Sequence, residues 1–349
     1  MPGLRALILS DGRPGHYHLA EGVVAALGRL GPVTTRTVAM KASRRVPPRL
    51  LAALMRLGLV GAGTGLSLST GLSRADLPDA DLVVSAGGDT IIANWAAARL
   101  LGARNIFCGT LRRLPPEAFG LVVSSYERHR GLPRHLVTLK PNRMDPDELT
   151  GRGDRAPLAD GRPPSVAGLL VGGDSGLFHY RPDEWQRVLD FAGEMSRLHG
   201  TRWIIATSRR TPANVADMAV ALAGRPGVVL DLIDYRTAGP GTLPSVFARS
   251  DVILASEDSS TMVSEAVTMR LPVIGVSPAD HAFKPEEAEY RRLMQREGWC
   301  RFLPIAELSP QSFLSALAAI EPLRENHLDR LARALDERLP GLWTKEETR

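Results

Sequence analysis

The chain has 349 residues, enough for about two domains, and its 44% hydrophobic and 23% charged residues exclude disordered and collagen-like classes. Lys and Arg number 43 against 38 Asp and Glu, a net charge of +5 that favours anionic partners such as nucleotides or a phospholipid surface. Aromatic residues, at 5%, do not interleave with the bases, so nucleic acid is not an expected partner; Cys108 and Cys300 are too few for a disulfide framework or a four-thiolate zinc site.

Short apolar runs alternate with helical stretches along the chain. In the first half the predicted strands are residues 5–9, 33–38, 82–85, 105–108, 121–124 and 136–139. The second half offers 166–171, 203–207, 228–232, 252–255 and 273–276. Near-continuous apolar strands separated by amphipathic helices predict parallel sheets covered on both faces. Residues 142–164 carry Pro, Gly, Asp and Arg without a hydrophobic period and read as a linker, with Asp145-Pro146-Asp147 as a solvated turn. The expected organisation is therefore a first Rossmann-like domain over 1–145, a linker over 146–164, a second domain over 165–320 and a helical tail over 321–349. That tail either covers a face of its own domain or crosses back to the first. The start is too short for a signal peptide, and no apolar run reaches the about 18–20 residues of a membrane span. The cytoplasm is the expected compartment.

The halves echo each other. Residues 7–16 read as a strand, a glycine turn and a helix start, and residues 169–176 repeat the plan. Residues 81–90 and 251–260 form a second matching pair, each leading into a helix and a further strand. Two doubly wound domains facing each other would gather both sets of strand C-termini around one cleft, where open α/β sheets bind ligands.

Chemistry concentrates at these strand ends. In Asp11-Gly12-Arg13-Pro14-Gly15-His16 the glycines admit an anion close to backbone N–H groups at a helix start, and His16 suits a general base. A plain capping turn is the alternative. Gly88, Asp89 and Thr90 follow the strand 82–85 and form a second glycine loop of the first half. In the second half, Gly173, Ser175 and Gly176 form a candidate phosphate loop, against a simple tight turn. Ser208, Arg209, Arg210 and Thr211 end another strand, where the arginines suit a pyrophosphate and Ser208 or Thr211 suits a helix cap. Asp258, Ser259, Ser260 and Thr261 start a helix in which the carboxylate of Glu265 could accept two ribose hydroxyls; a cap plus an exposed glutamate is the alternative. Neither an HExxH nor a GxSxG pattern occurs, so neither a metal site nor a hydrolase triad is expected. Finally, Lys41, Arg44, Arg45, Arg49 and Arg56 interleave with Val46, Leu50, Leu51, Leu54, Met55 and Leu57, an amphipathic segment suited to an anionic membrane or to an ordinary protein surface.

Five ordered motifs, namely residues 10–16, 85–90, 171–176, 207–212 and 257–266, together resemble the mitochondrial-fission Elm family. That resemblance implies a GT-B-like fold: two facing Rossmann-like doubly wound parallel-sheet domains with a C-terminal helical tail, the donor in the second domain and the acceptor in the first. It places Gly88, Asp89 and Thr90 with residues 11–16 on the acceptor side. A more distant likeness is to the peptidoglycan N-acetylglucosaminyltransferase family. Gly15-His16 matches its first glycine loop. Gly172–Gly176 matches its second with Asp174 inserted, and Thr261 to Glu265 matches its helix start with one extra residue. The likeness implies that His16 faces the acceptor, Ser175 and Gly176 the donor phosphates, and Glu265 the ribose. The expectation is a metal-independent glycosyltransferase without a cofactor, in which a nucleotide-sugar is the donor and His16 or Asp89 serves the acceptor hydroxyl. A lipid-linked cell-envelope acceptor would place it peripherally on the cytoplasmic face of the inner membrane. A nucleotide-sugar 2-epimerase and a non-catalytic fission adaptor are the rival readings.

Overall fold

Leu7 and Leu9 pack with Val83, Phe107 and Val122 in one core, while Ala6 and Ile8 pack with Leu82, Val84 and Ile106 in another. This split of alternate residues is the period of two of a strand buried on both faces, and it recurs through the computed structural model, which describes residues 3–43, 46–149 and 162–343. The chain divides into two compact units, Met1–Arg143 with His327–Arg349, and Met144–Asn326.

The first unit contains β1 (Leu4–Ser10), α1 (Pro14–Leu27), β2 (Val33–Ala39), α2 (Pro48–Arg56) and α3 (Ala62–Thr70). It continues through β3 (Leu82–Ala86), α4 (Ile91–Leu101), β4 (Arg104–Cys108), β5 (Leu121–Ser124) and β6 (His135–Val137). Its sheet is parallel throughout, in the order β2-β1-β3-β4-β5-β6. The expected strand at 136–139 is shorter, because after Val137 only the amide of Thr138 still reaches a ladder carbonyl, that of Ser124.

The second unit contains β7 (Val166–Val171), β8 (Phe178–His179), α5 (Pro182–His199), β9 (Arg202–Thr207), α6 (Ala213–Ala223), β10 (Val229–Ile233), α7 (Tyr235–Ala238) and α8 (Leu243–Arg249). Then come β11 (Val252–Ser256), α9 (Ser260–Thr268), β12 (Val273–Ser277), β13 (Asp280–His281), α10 (Pro285–Arg296), β14 (Cys300–Pro304) and α11 (Pro310–Ala318). Its six-stranded sheet has the order β10-β9-β7-β11-β12-β14, again parallel. The strands β8, β13 and β14 were not expected. Two are two-residue pairings, and β14 is an edge strand carrying Arg301 and ending in Pro304, as edges tolerate.

Local sequence sets the helix ends. Pro stands at the first helical position of α1, α2, α5, α10 and α11, where its missing N–H leaves no bond unmade. Gly71, Gly102 and Gly200 end α3, α4 and α5 with positive φ. Glu184 bonds back to the amide of Arg181 at 2.8 Å and accepts from the amide of Ala279 at 2.6 Å, tying the start of α5 to the loop before β13.

The last helix, α12 (His327–Arg338), belongs to the first unit. Leu328, Leu331, Leu335 and Leu339 join Val23, Leu27, Ile8 and Ile106 in one core, and Arg29 pairs with Asp329 at 3.3 Å. Just before it, Asn326 donates to Asp145 at 2.8 Å and Asp147 at 2.7 Å. Asp145 is thus buried and not part of a solvated turn. Residues 150–161 of the expected linker, Arg44 and Arg45 of the basic segment and residues 344–349 of the tail lie outside the described residues.

Candidate functional site

In an open parallel sheet the ligand crevice lies outside the strand C-termini where the winding reverses. In the first unit that point falls between β1 and β3, and in the second between β7 and β11. Four of the five motifs occupy the loops leaving these four strands, and the fifth, residues 207–212, leaves β9 beside β7.

In the first unit α1 starts at Pro14, so His16 lies in its first turn. Asp11 organises the loop. Its Oδ1 accepts from the amide of Arg13 at 3.1 Å, and its Oδ2 lies 2.7 Å from Nδ1 of His16. The Asp11 side chain is nearly enclosed, whereas that of His16 is 31% exposed. A carboxylate on Nδ1 holds the proton there and leaves Nε2 as the acceptor, the tautomer a general base requires. Arg13 reaches Asp89 at 3.3 Å, tying the loop after β1 to the loop after β3. Gly87, at φ +86°, lies against the imidazole: a Cβ there would sit 2.3 Å from Nδ1 of His16. Gly88 carries the guanidinium of Arg112 in the same way, with a Cβ position 2.7 Å from Cζ. Thr90 turns inward and donates to the carbonyls of Ala86 and Gly87 at 3.0 Å, serving the turn. Gly12 and Gly15 face open space.

Sequence reading missed Arg112. Both Arg112 and Arg113 have positive φ, 49° and 73°, in the loop after β4. Such backbone costs about 1–2 kcal/mol for a residue with a Cβ and concentrates where function holds it. Nothing in a run of two arginines signals this, because it is the loop's path that forces the backbone there.

In the second unit Asp258 is the organising group, and its side chain has no solvent exposure. Ser256 donates to it at 2.7 Å, Tyr180 approaches at 3.5 Å, and Arg210 donates through Nε at 3.0 Å and through its terminal nitrogen as well. Burial and the charge of Asp258 push the phenol of Tyr180 well above its ordinary pKa, leaving it a hydroxyl donor. Gly172 donates its amide to Ser256 at 2.8 Å. A Cβ on Gly172 would fall 2.1 Å from Asp258, and one on Gly173 would fall 2.0 Å from the carbonyl of Arg210. These two glycines are small because protein fills the space, whereas Gly176 alone of the loop opens onto empty space.

The remaining motif residues divide similarly. Thr211 accepts from the amide of Ser208 at 2.8 Å and donates to the carbonyl of Val171 at 2.8 Å, and the Ser208 hydroxyl accepts from the amide of Arg210. Neither caps α6, whose N-cap is Pro212. Arg209 is exposed and makes no ion pair among the described residues. Ser175 contacts the carbonyl of Asp258 at 3.4 Å. Its loop does not run straight into a helix as expected; Ser175 pairs with Phe178, β8 pairs with β13, and α5 begins only at Pro182. Ser259 is the N-cap of α9 and accepts from the amide of Met262. Ser260 and Thr261 form its first turn, and Glu265 is buried within the helix, not exposed.

A cavity of about 340 Å³ lies at the ends of β11, β12 and β14, lined by Glu257, Ser277, His281, Phe283, Arg291 and Phe302 among others. Arg291 donates to Glu257 at 2.7 Å, both side chains buried, and its guanidinium stacks 4.1 Å from the ring centre of Phe283. The partners stand 34 residues apart, with no periodic signal to link them. Among the described residues no three His, Cys, Asp or Glu side chains gather as a metal-ion site.

The architecture has counterparts in solved structures. MurG of Acinetobacter baumannii is 13% identical, with a TM-score of 0.52 over 96% of this chain and 100% of that one. MnaA of S. aureus, solved with UDP, is 11% identical, with a TM-score of 0.53 over 98% of each chain. A putative UDP-N-acetylglucosamine 2-epimerase of Listeria monocytogenes is 11% identical, with a TM-score of 0.55 over 99% of this chain and 98% of that one. At these identities the likeness is one of fold, and the fold is the GT-B-like pair of Rossmann-like domains with a C-terminal helix. No significant match was found among curated proteins. The sequence pattern of the mitochondrial fission ELM1 family matches residues 14–339, which run from the start of α1 through the switch point of the second unit to the end of α12, and the chain belongs to that family.

Proposed function

We propose that the protein is a metal-independent GT-B glycosyltransferase that moves a sugar from a nucleotide-sugar to a hydroxyl acceptor. The observation that carries this reading is the Asp11–His16 pair, a half-exposed imidazole held by an enclosed carboxylate at the switch point of the first unit. In the proposed reaction Nε2 of His16 takes the proton of the acceptor hydroxyl. The acceptor oxygen bonds to the anomeric carbon, and the bond from that carbon to the diphosphate breaks. The nucleoside diphosphate leaves with the electron pair. Asp89, held by Arg13, positions the acceptor. On the donor side, Arg209, the Ser175 hydroxyl and the open backbone at Gly176 receive the diphosphate, Glu265 receives the ribose, and the loop over Asp258, Ser259, Ser260 and Thr261 supports it. Arg210 acts through the loop it fastens, because its charge is already met by Asp258. The acceptor in this reading is a lipid-linked component of the cell envelope, reached from the cytoplasmic face of the inner membrane.

The fold neighbours that bind nucleotides support testing the donor site first. Thermal unfolding is measured with UDP, GDP, TDP, ADP and CMP, on the wild type and on Glu265→Ala. A ligand at about 100 times its Kd stabilises by about 2.7 kcal/mol, a shift of several degrees. A shift with one nucleotide, lost in Glu265→Ala, is expected. Absence of any shift overturns the reading in favour of an adaptor. Epimerised sugar from the donor alone overturns it in favour of a 2-epimerase.

A further inference from the structure

Helix α2 is apolar on both sides. Leu51, Ala52 and Met55 are buried in the core of the first unit, while Leu50, Ala53 and Leu57 stand on the outer side with Leu54 half-buried. Leu50, Leu57 and Leu59 are 52%, 66% and 70% exposed, and they are three of only eight large hydrophobic side chains that stand so open among the described residues. A helix of a globular protein normally turns charge, not leucine, to water. At 100° per residue Arg49 and Arg56 fall beside each other along one border of this stripe.

The charge around the stripe is one-sided. From Gly22 to Ala75 there is no Asp or Glu and there are eight Lys or Arg: Arg29, Arg36, Lys41, Arg44, Arg45, Arg49, Arg56 and Arg74. The whole chain has 43 bases and 38 acids, so outside this span 35 bases face 38 acids. The entire positive excess of the protein therefore lies in the span that contains α2. Met40 donates its amide to Ser10, so the chain leaves β2 at the same sheet edge from which Asp11–His16 emerges.

We infer that the outer face of α2, from Pro47 to Leu59, docks the protein onto an anionic lipid bilayer. Leu50, Leu57 and Leu59 enter the headgroup–acyl boundary, and Arg49, Arg56 and Lys41 meet the lipid phosphates. The combination selects a bilayer over a protein groove, because leucines whose charged sequence neighbours from Gly22 to Ala75 are all cations match a surface that is apolar below and anionic above. For its purpose the inference rests on the membrane-side part of the proposed function, and its test reads lipid binding without any transfer reaction, so the two fail separately.

The test is co-sedimentation of the full-length protein with vesicles of phosphatidylcholine alone and with about 30% phosphatidylglycerol, at low and high salt. The expected result is binding to the anionic vesicles, weaker on neutral ones and weakened by salt. The double variant Leu57→Glu/Leu59→Glu, at exposed positions, should retain the wild-type unfolding temperature and lose about tenfold or more in vesicle affinity. Arg49→Glu/Arg56→Glu should lose the preference for anionic lipid. Failure of the wild type to bind anionic vesicles, or undiminished binding by the leucine variant, overturns the inference. A dimer in light scattering that the leucine variant dissociates also overturns it, since a second copy would then cover this face.

Discussion

The guanidinium of Arg210 closes on the carboxylate of Asp258 across 48 residues of sequence, and that carboxylate is shut off from solvent at the winding reversal of the second unit. The pair fastens the loop after β9 to the loop after β11, with the glycines of the loop after β7 packed between them. Arg210→Ala leaves a buried charge with hydroxyl donors only and is expected to cost about 3 kcal/mol. Denaturant unfolding of the variant checks this, and a cost under about 1 kcal/mol would show that the pair is not structural.

Gly173→Ala probes the same junction through shape. Its new methyl would have to occupy the place of the Arg210 carbonyl, a backbone atom that cannot swing aside. A loss of about 2 kcal/mol or more follows from overpacking, together with loss of any nucleotide-induced thermal shift. Gly176→Ala meets open space and is expected to leave stability within about 0.5 kcal/mol of the wild type.

On the acceptor side, His16→Gln removes the base but not the donor loops. The nucleotide-induced rise in Tm should persist, while the transfer rate falls by about 10²- to 10⁴-fold. Asp11→Asn retains the imidazole without its carboxylate anchor, so the transfer rate should fall while the nucleotide-induced rise in Tm persists. Equal loss of nucleotide binding in His16→Gln would show that His16 belongs to the donor site.

Point substitution tests the last helix. Leu335 is fully buried in the core shared by α1 and α12, so Leu335→Ala is expected to cost about 3 kcal/mol. Thermal unfolding reads the effect, and an unchanged Tm would mean that α12 is dispensable for the first unit.

Burial holds the pKa of the His18 imidazole below its ordinary value of 6.5, with Glu21 opposing and Arg143 adding to the effect. The folded chain therefore favours the neutral ring, and the unfolded chain binds the extra proton first. Stability from this residue is complete above about pH 6.5 and falls as the pH drops through the folded-state pKa. His18→Gln should flatten part of the decline in unfolding free energy between about pH 7 and pH 5; an identical slope in wild type and variant would exclude His18 as its source.

Much of the molecule was legible in its sequence. The near-continuous apolar runs such as residues 5–9, the Pro-started helices and the polar loops after apolar strands are local patterns, and local sterics and burial are enough to translate them into elements. The loops holding His16 and Asp258 could be placed because each follows an apolar strand and leads into a helix, whereas the loop holding Gly173 leads into β8. What tertiary structure alone decided was partnership. Two adjacent arginines read alike, yet Arg210 is consumed by Asp258 and Arg209 is not. Two adjacent acids read alike, yet Glu257 turns to Arg291 and Asp258 to Arg210. The leucines of α12 predict a buried face but not which sheet covers it, and the leucines of α2 read as one helix face until the core leaves half of them outside. Periodicity is a property of neighbours along the chain, whereas the choice among chemically equivalent partners follows from distances that only the folded backbone sets.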